Sequence, residues 1–254
     1  MNPRLKKRLS QNFLRDPNIA RRIVAEAAIT PSDNVLEIGC GDGALTSWIV
    51  KTGCSYTGIE VDPEWFNRLT ELVGDHPNVE LLNIDFMKWQ APGTNRQLKV
   101  VGNLPYHISS QILFRLMDLH YCVRSATLML QKEVVERIVS PPGSKAYGIL
   151  SVFCQYYADC KRLFDVSPSA FVPRPTVHSS ILQLEFHSKL KAVGSELLFK
   201  KLVKQSFNQR RKMLRNSIAG LVGKRSVTIN LDLRPEHLSV DDFVQLSQEL
   251  EAEQ

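Results

Sequence analysis

Short apolar runs alternate along the chain with stretches in which apolar residues recur every three or four positions, and that alternation sets most of the expected elements. Asp16-Pro17 opens a helix over 16–28, with Ile19, Ile23 and Ala27 on one face. The run Asn34–Ile38 predicts a buried strand. The turn Gly39-Cys40-Gly41-Asp42-Gly43 follows it and leads into a helix from about Ala44 to Lys51. Further strands are expected at Ser55–Glu60, Val79–Ile84, Leu98–Gly102 and Ala126–Leu130, with helices at Pro63–Val73, Ser109–Leu119 and Lys132–Val139. Strands that alternate with helices through short turns point to an open parallel α/β sheet.

The pattern changes after residue 148. A helix beginning over Gly148–Gln155 leads toward a strand near Tyr156–Phe164, and the alternating stretch Ser179–Phe186 returns as a last strand. Two strands so late in the sheet suggest an antiparallel pair at one edge. Leu190–Ser195 reads as a boundary, beyond which the chain turns helical. Phe199, Leu202, Val203 and Phe207 form one stripe, Leu214, Ile218 and Leu221 another, and Asp241–Leu250 a final amphipathic helix. The expected organisation is a sheet domain over 1–188, with a basic N-terminal arm, and a small helical domain over 189–254.

Composition narrows the class. At 254 residues, 43% hydrophobic and 23% charged, the chain suits a soluble protein with one large domain and a smaller appendage. No apolar run approaches the length of a membrane span and no signal-peptide pattern opens the chain, so the expected location is the cytoplasm. Cys40, Cys54, Cys122, Cys154 and Cys160 lack any Cys-x-x-Cys pairing and read as small buried hydrophobes in a reducing compartment. The six histidines show no metal-ligand spacing, and no metal is expected. The net charge of +6 is unevenly placed. Residues 1–15 hold five basic and no acidic side chains, and 200–215 hold seven basic and none acidic, including Arg210, Arg211 and Lys212. The remainder is acidic. Two confined basic patches are what a phosphate backbone would meet, and those three residues are the candidate RNA contacts.

The candidate chemistry lies at the ends of the strands. Val100–Tyr106 runs as a β-branched strand into Asn103-Leu104-Pro105-Tyr106. An amide that donates and accepts, a proline that fixes the backbone and a flat aromatic suit the gripping of a planar ring by its exocyclic amine. The turn at 39–43 is ambiguous. Gly39-x-Gly41-x-x-Ala44 satisfies a dinucleotide fingerprint, while Glu37 ahead of Gly39, Gly41 and Gly43 equally fits an S-adenosylmethionine pattern. Glu60, at the end of the second strand, suits a ribose hydroxyl in either cofactor. Asp85 favours the adenosyl reading, because a carboxylate at the end of the third strand can accept from an adenine amine. No carboxylate clamp for a dehydrogenase follows.

Asn103-Leu104-Pro105-Tyr106 resembles the signature of enzymes that methylate the exocyclic amine of adenine. With Gln11-Asn12-Phe13-Leu14, Glu37-Ile38-Gly39, Phe171-Val172-Pro173-Arg174-Pro175-x-Val177 and Phe207-Asn208-Gln209-Arg210-Arg211-Lys212, the chain resembles the small-subunit rRNA adenine dimethyltransferases. The resemblance implies a Rossmann-like S-adenosylmethionine-dependent methyltransferase sheet, acting as a monomer on small-subunit rRNA within a pre-ribosomal particle. It implies that Asn12 and Leu14 close over the cofactor, with Gly39 and Gly41 in the turn beside its methionine portion. Glu60 would hold the ribose, Asp85 the adenine, and Asn103 would lie beside the sulfonium. Asn103, Leu104 and Pro105 would position the target amine, with Tyr106 and Phe171 stacking on the two faces of the base. The family usually has Gly and Pro where this chain has Ser10 and Cys40, which leaves the local loop shape open.

Overall fold

The computed structural model describes residues 12–91, 93 and 98–252. The basic arm ahead of residue 12, with Gln11, lies outside the described residues. Contacts divide the chain into two units, one of residues up to 135 with 159–186, the other of 136–158 with the chain from 187 onward.

The first unit begins with β1 (Phe13–Leu14) and α1 (Pro17–Glu26), whose N-terminus is capped by Asp16 accepting from the Asn18 and Ile19 amides. The alternating part follows as β2 (Asn34–Ile38), α2 (Thr46–Ile49), β3 (Ser55–Ile59), α3 (Pro63–Val73), β4 (Val79–Leu82), β5 (Leu98–Asn103), α4 (Ser109–Asp118), β6 (Val123–Gln131) and α5 (Lys132–Ile138). Asp62 caps α3 through the Glu64 amide, with Pro63 in its first turn. The 3-10 turn Val50–Thr52 extends α2 and closes on Gly53.

The later elements are α6 (Ile149–Tyr157), β7 (Ala158–Val166), β8 (Phe171–Val172) and β9 (Ser179–Phe186). Seven strands form one sheet in the order β4-β3-β2-β5-β6-β9-β7. β4 through β6 run parallel in that order, and β9 is antiparallel to β6 with Ser179 opposite Gln131. Val35, Leu36, Val100, Val101, Leu128 and Met129 are buried, as strands covered on both faces require. The chain builds outward from β2 in one direction and from β5 in the other. The turns leaving the carboxyl ends of these two neighbours therefore flank a crevice, which positions the site.

Two strand ends differ from the sequence reading. β4 stops at Leu82, so Asp85 caps the 3-10 turn Phe86–Lys88 and its Oδ1 accepts from the Met87 amide at 2.9 Å. β7 begins at Ala158, two residues later than expected, because Tyr156 and Tyr157 remain helical. Tyr156 packs on Phe199 with ring centroids 4.6 Å apart, and Phe153 meets the same ring edge-on.

That packing also relocates the domain boundary expected at 188. The second unit comprises residues 136–158, hence α6, together with α7 (Glu196–Asn208), α8 (Leu214–Ser217), α9 (Ala219–Val222) and α10 (Val240–Ala252). Ser195 caps α7 by accepting from the Leu198 amide. The stripe Phe199, Leu202 and Val203 is buried as expected, and Phe207 packs between Tyr147 and Phe243. Leu214 and Ile218 are buried, with Leu221 half-buried beside them. No helix among the described residues is long and apolar enough to cross a membrane.

Candidate active site

The turn after β2 is shaped by backbone that only glycine adopts easily. Gly39 and Gly41 have φ of +72° and +55°. The Gly39 amide donates to the Ile59 carbonyl at 2.9 Å, which ties the turn to the end of β3. A Cβ on Gly39 would meet nothing within 4 Å and would project into the open cleft. A Cβ on Gly41 would stand 3.1 Å from the Phe13 ring. The Gly41 amide donates to Glu60 Oε2 at 2.8 Å, and the Asp62 amide donates to Glu60 Oε1 at 2.9 Å. Glu60 is thereby locked at the mouth of the turn. Burial raises its pKa, and the two amides pull against that.

Glu37, which belongs to the glycine motif but had no contact assigned from the sequence, enters the same cleft from the end of strand β2. It is 1% exposed and its Oε2 accepts from Thr46 Oγ1 at 2.8 Å and the Tyr56 hydroxyl at 2.7 Å. Burial pushes its pKa up to about 7 against the pull of those two donors, and the charges of Glu60 and Asp42 add to the rise. The signal for Glu37 was present in the motif. Its depth depends on the fold.

Across the cleft stands the turn after β5. Asn103 Nδ2 donates to the Asn12 carbonyl at 3.1 Å, so the amide spends its nitrogen on the protein and presents Oδ1. The Leu104 amide donates to the Met129 carbonyl at 3.1 Å, anchoring the turn to β6. Pro105, which has no N–H, accepts from the Ile108 amide and starts the turn into α4. The Tyr106 hydroxyl shares a 2.7 Å hydrogen bond with Ser179 Oγ on β9, which fixes the ring while it lines the cleft.

The roof of the cleft is residues 12–14. β1 pairs antiparallel with β8, with Phe13 opposite Val172 and Leu14 opposite Phe171. Phe13 packs on Trp65 with centroids 4.5 Å apart, and Arg15 bridges to Asp42 at 2.8 Å. A two-residue strand has no periodicity to read, so its pairing with β8 was not legible in the sequence, although Asn12 and Leu14 were expected over the cofactor.

The structure thus gathers Asn12, Leu14, Gly39, Gly41 and Glu60 from one side, and Asn103, Leu104, Pro105 and Tyr106 from the other, around one cleft. Asp85 and Phe171 are not among its lining residues. Asp85 serves its own turn beyond β4. Phe171 corrects the expectation of a second stacking face: it is 3% exposed and packs with Leu14 in the core. An aromatic beside two prolines fits either role, and here pairing with β1 takes it inward. Arg210, Arg211 and Lys212 are exposed just beyond α7, and the Arg210 guanidinium donates to the Lys145 carbonyl. Lys145 belongs to the same loop as Tyr147, which is fully buried.

Among the described residues, the lining contains the carboxylates of Glu37, Asp42 and Glu60 and no lysine or arginine. A pyrophosphate would face repulsion from Glu37 and Glu60, whereas the ammonium and ribose hydroxyls of an adenosyl cofactor would meet acceptors there. This donor set fits S-adenosylmethionine. Among the described residues no group of His, Cys, Asp and Glu could hold a metal ion.

The sequence profile of the ribosomal RNA adenine dimethylase family matches residues 2–252. The chain belongs to that family. As an rRNA adenine dimethylase family member it is a methyltransferase, and its relatives agree. Proteins named ribosomal RNA small subunit methyltransferase A from Francisella tularensis are similar to it. That of subspecies novicida is 41% identical over 95% of this chain and 96% of its own length. That of subspecies tularensis strain SCHU S4 is 40% identical over the same shares. Among solved structures, a dimethyladenosine transferase from Plasmodium falciparum superposes with a TM-score of 0.80 at 24% identity, covering 94% of this chain and 98% of that one. The 23S rRNA methyltransferase ErmE gives 0.69 at 24% identity over 94% and 100%. These last two likenesses show a shared fold.

Proposed function

We propose that the chain transfers methyl groups from S-adenosylmethionine to the exocyclic amine of adenosines in small-subunit ribosomal RNA, giving dimethyladenosine. One observation carries this reading: an acidic, backbone-tied turn and an amide with its oxygen presented meet across a single cleft. The 40–41% identical relatives named for the small subunit support the RNA assignment. We place the protein in the cytoplasm, as a monomer acting on RNA within an assembling particle. An assembly role beside catalysis is compatible with it.

When bound, the cofactor supplies an electrophilic methyl group. Glu60 is placed to accept from its ribose, Gly39 and Gly41 to let it approach the backbone, and Glu37 to face its cationic amino-acid end. Asp85, outside the cleft lining in the turn beyond β4, would hold the adenine amine. The target amine is a poor nucleophile, because its lone pair is delocalised into the ring. Asn103 Oδ1 and the Leu104 carbonyl would each accept a hydrogen bond from it, drawing the nitrogen toward a tetrahedral shape with its lone pair aimed for in-line displacement. Tyr106, steadied by Ser179, would stack on the base and contribute about 1–3 kcal/mol. No strong base is needed, since the product ammonium loses its proton readily to water. Positioning and electrostatics supply the acceleration.

Incubation with labelled S-adenosylmethionine and small subunits lacking the modification should yield dimethyladenosine in small-subunit RNA. Label confined to large-subunit RNA would overturn the substrate assignment.

Arg210, Arg211 and Lys212 are proposed to contact RNA phosphates. Reversing Arg211 and Lys212 to glutamate is expected to weaken RNA binding at every sequence and to flatten the salt dependence of log affinity by about 1 per residue. Filter binding across a salt series measures this. An unchanged slope would remove these residues from the interface.

A further inference from the structure

Glu37 reaches the cleft from inside the core, and the groups that hold it there have no other part in the proposed reaction. Thr46 and Tyr56 both donate to Oε2, and neither reaches Oε1. The Tyr56 hydroxyl also lies 3.3 Å from Cys40 Sγ. The carboxylate is pinned by one oxygen, which leaves the other to be offered to the cleft.

Tyr56 can do this because of Gly58. β2 and β3 pair in parallel with Glu37 beside Gly58, and positions 56 and 58 share one face of the sheet. The phenol runs along the strand over Gly58 to reach the carboxylate. A Cβ at 58 would stand 2.6 Å from the Tyr56 hydroxyl and 2.9 Å from Cys40 Sγ, closer than real contacts allow. A tyrosine at 56, bare backbone at 58 and a small side chain at 40 therefore form one arrangement, in which the phenol fills the space the glycine leaves.

We propose that Tyr56, seconded by Thr46, is a positioning residue for the cationic amino-acid end of the cofactor, acting through Glu37. The proposal rests on the S-adenosylmethionine reading above. A carboxylate held on one oxygen by two donors keeps its orientation and its charge when an ammonium arrives. With the phenol hydroxyl gone, the buried acid turns more freely and takes up a proton more readily.

The groups facing Glu37 are Thr46 from α2, Cys40 and Asp42 from the turn, and Tyr56 and Glu60 from β3 and its end. Asp42 is itself paired with Arg15. Affinity for S-adenosylmethionine should therefore fall on the acid side of neutrality as Glu37 protonates. 5′-Methylthioadenosine, which keeps the adenosine and lacks the amino-acid end, still meets Glu60 and so reports everything except Glu37.

Titration calorimetry of both ligands from about pH 5.5 to 9 compares the wild-type chain with Tyr56→Phe, Thr46→Val and Thr46→Ser. Tyr56→Phe is expected to move the acid midpoint for S-adenosylmethionine upward by about one pH unit and to weaken its binding about fivefold at neutral pH. Its affinity for 5′-methylthioadenosine should be unchanged. Thr46→Val should move the midpoint the same way and Thr46→Ser should leave it in place, which decides the matter should Tyr56→Phe not fold. A wild-type midpoint in both hydroxyl-deleted proteins, or equal losses for both ligands, overturns the positioning role. Wild-type protein that binds neither ligand overturns the cofactor reading instead.

Discussion

Asn103→Ala is expected to lower methyl transfer by about a hundred- to a thousandfold, the usual loss when a group that stabilises the reacting centre is removed. The structure gives the expectation its direction. The Asn103 amide nitrogen is engaged by the Asn12 carbonyl, so the oxygen that remains is held by the protein ahead of any substrate. Alanine removes that acceptor and leaves the amine's lone pair in its ring. The strand is untouched, because Val100 and Val101 are buried and the Leu104 amide still bonds Met129. The side chain itself is half-buried, and losing one hydrogen bond should cost about 1 kcal/mol of stability. Single-turnover methylation beside denaturant unfolding separates the two effects. A variant that retains full transfer would sink the role assigned to Asn103.

Glu37→Gln should produce the opposite pairing, a more stable protein that binds the cofactor poorly. Glu37 has a folded-state pKa of about 7 against a reference of 4.5, with burial as the main cause. The folded chain thus holds this proton more tightly than the unfolded chain does. The resulting stability is fully present below about pH 4.5 and is lost as the pH rises through about 7. Glutamine is neutral throughout, and its carbonyl can still accept from Thr46 and Tyr56. At pH 8 the variant should therefore exceed the wild type by about 3 kcal/mol, with most of that advantage lost at pH 5. Urea unfolding at the two pH values reads this directly. An advantage that does not grow between pH 5 and pH 8 would mean that Glu37 does not carry the titration. The wild type accepts this cost at neutral pH because a buried carboxylate is what an ammonium-bearing ligand can use.

Both expectations concern residues that short motifs had already brought into view, which explains why so much of the site was legible. Asn103-Leu104-Pro105-Tyr106 and the glycine turn each sit at the carboxyl end of a strand whose apolar run is unmistakable. In a parallel sheet such ends lie along one edge, so the motifs fall near each other without further instruction. Phe171 failed for a related reason. An aromatic residue carries no local mark of whether it faces a ligand or a core, and its pairing partner Leu14 lies more than 150 positions away.

By itself, the sequence determined the alternation of strands and helices, the helix start at Asp16, the two strand-end motifs and the family. All of these depend on neighbours within a few residues, where periodicity and turn chemistry act. Only the tertiary structure decided what depends on distant pairing. It paired Phe13 and Leu14 with β8, assigned 136–158 to the helical unit through Tyr156 and Phe199, and turned Phe171 inward. It also set Gly58 beside Glu37, so that Tyr56 could cross it and grip a buried carboxylate. Strand register is a long-range property, and it is register that places a phenol, a thiol and an acid in one small space.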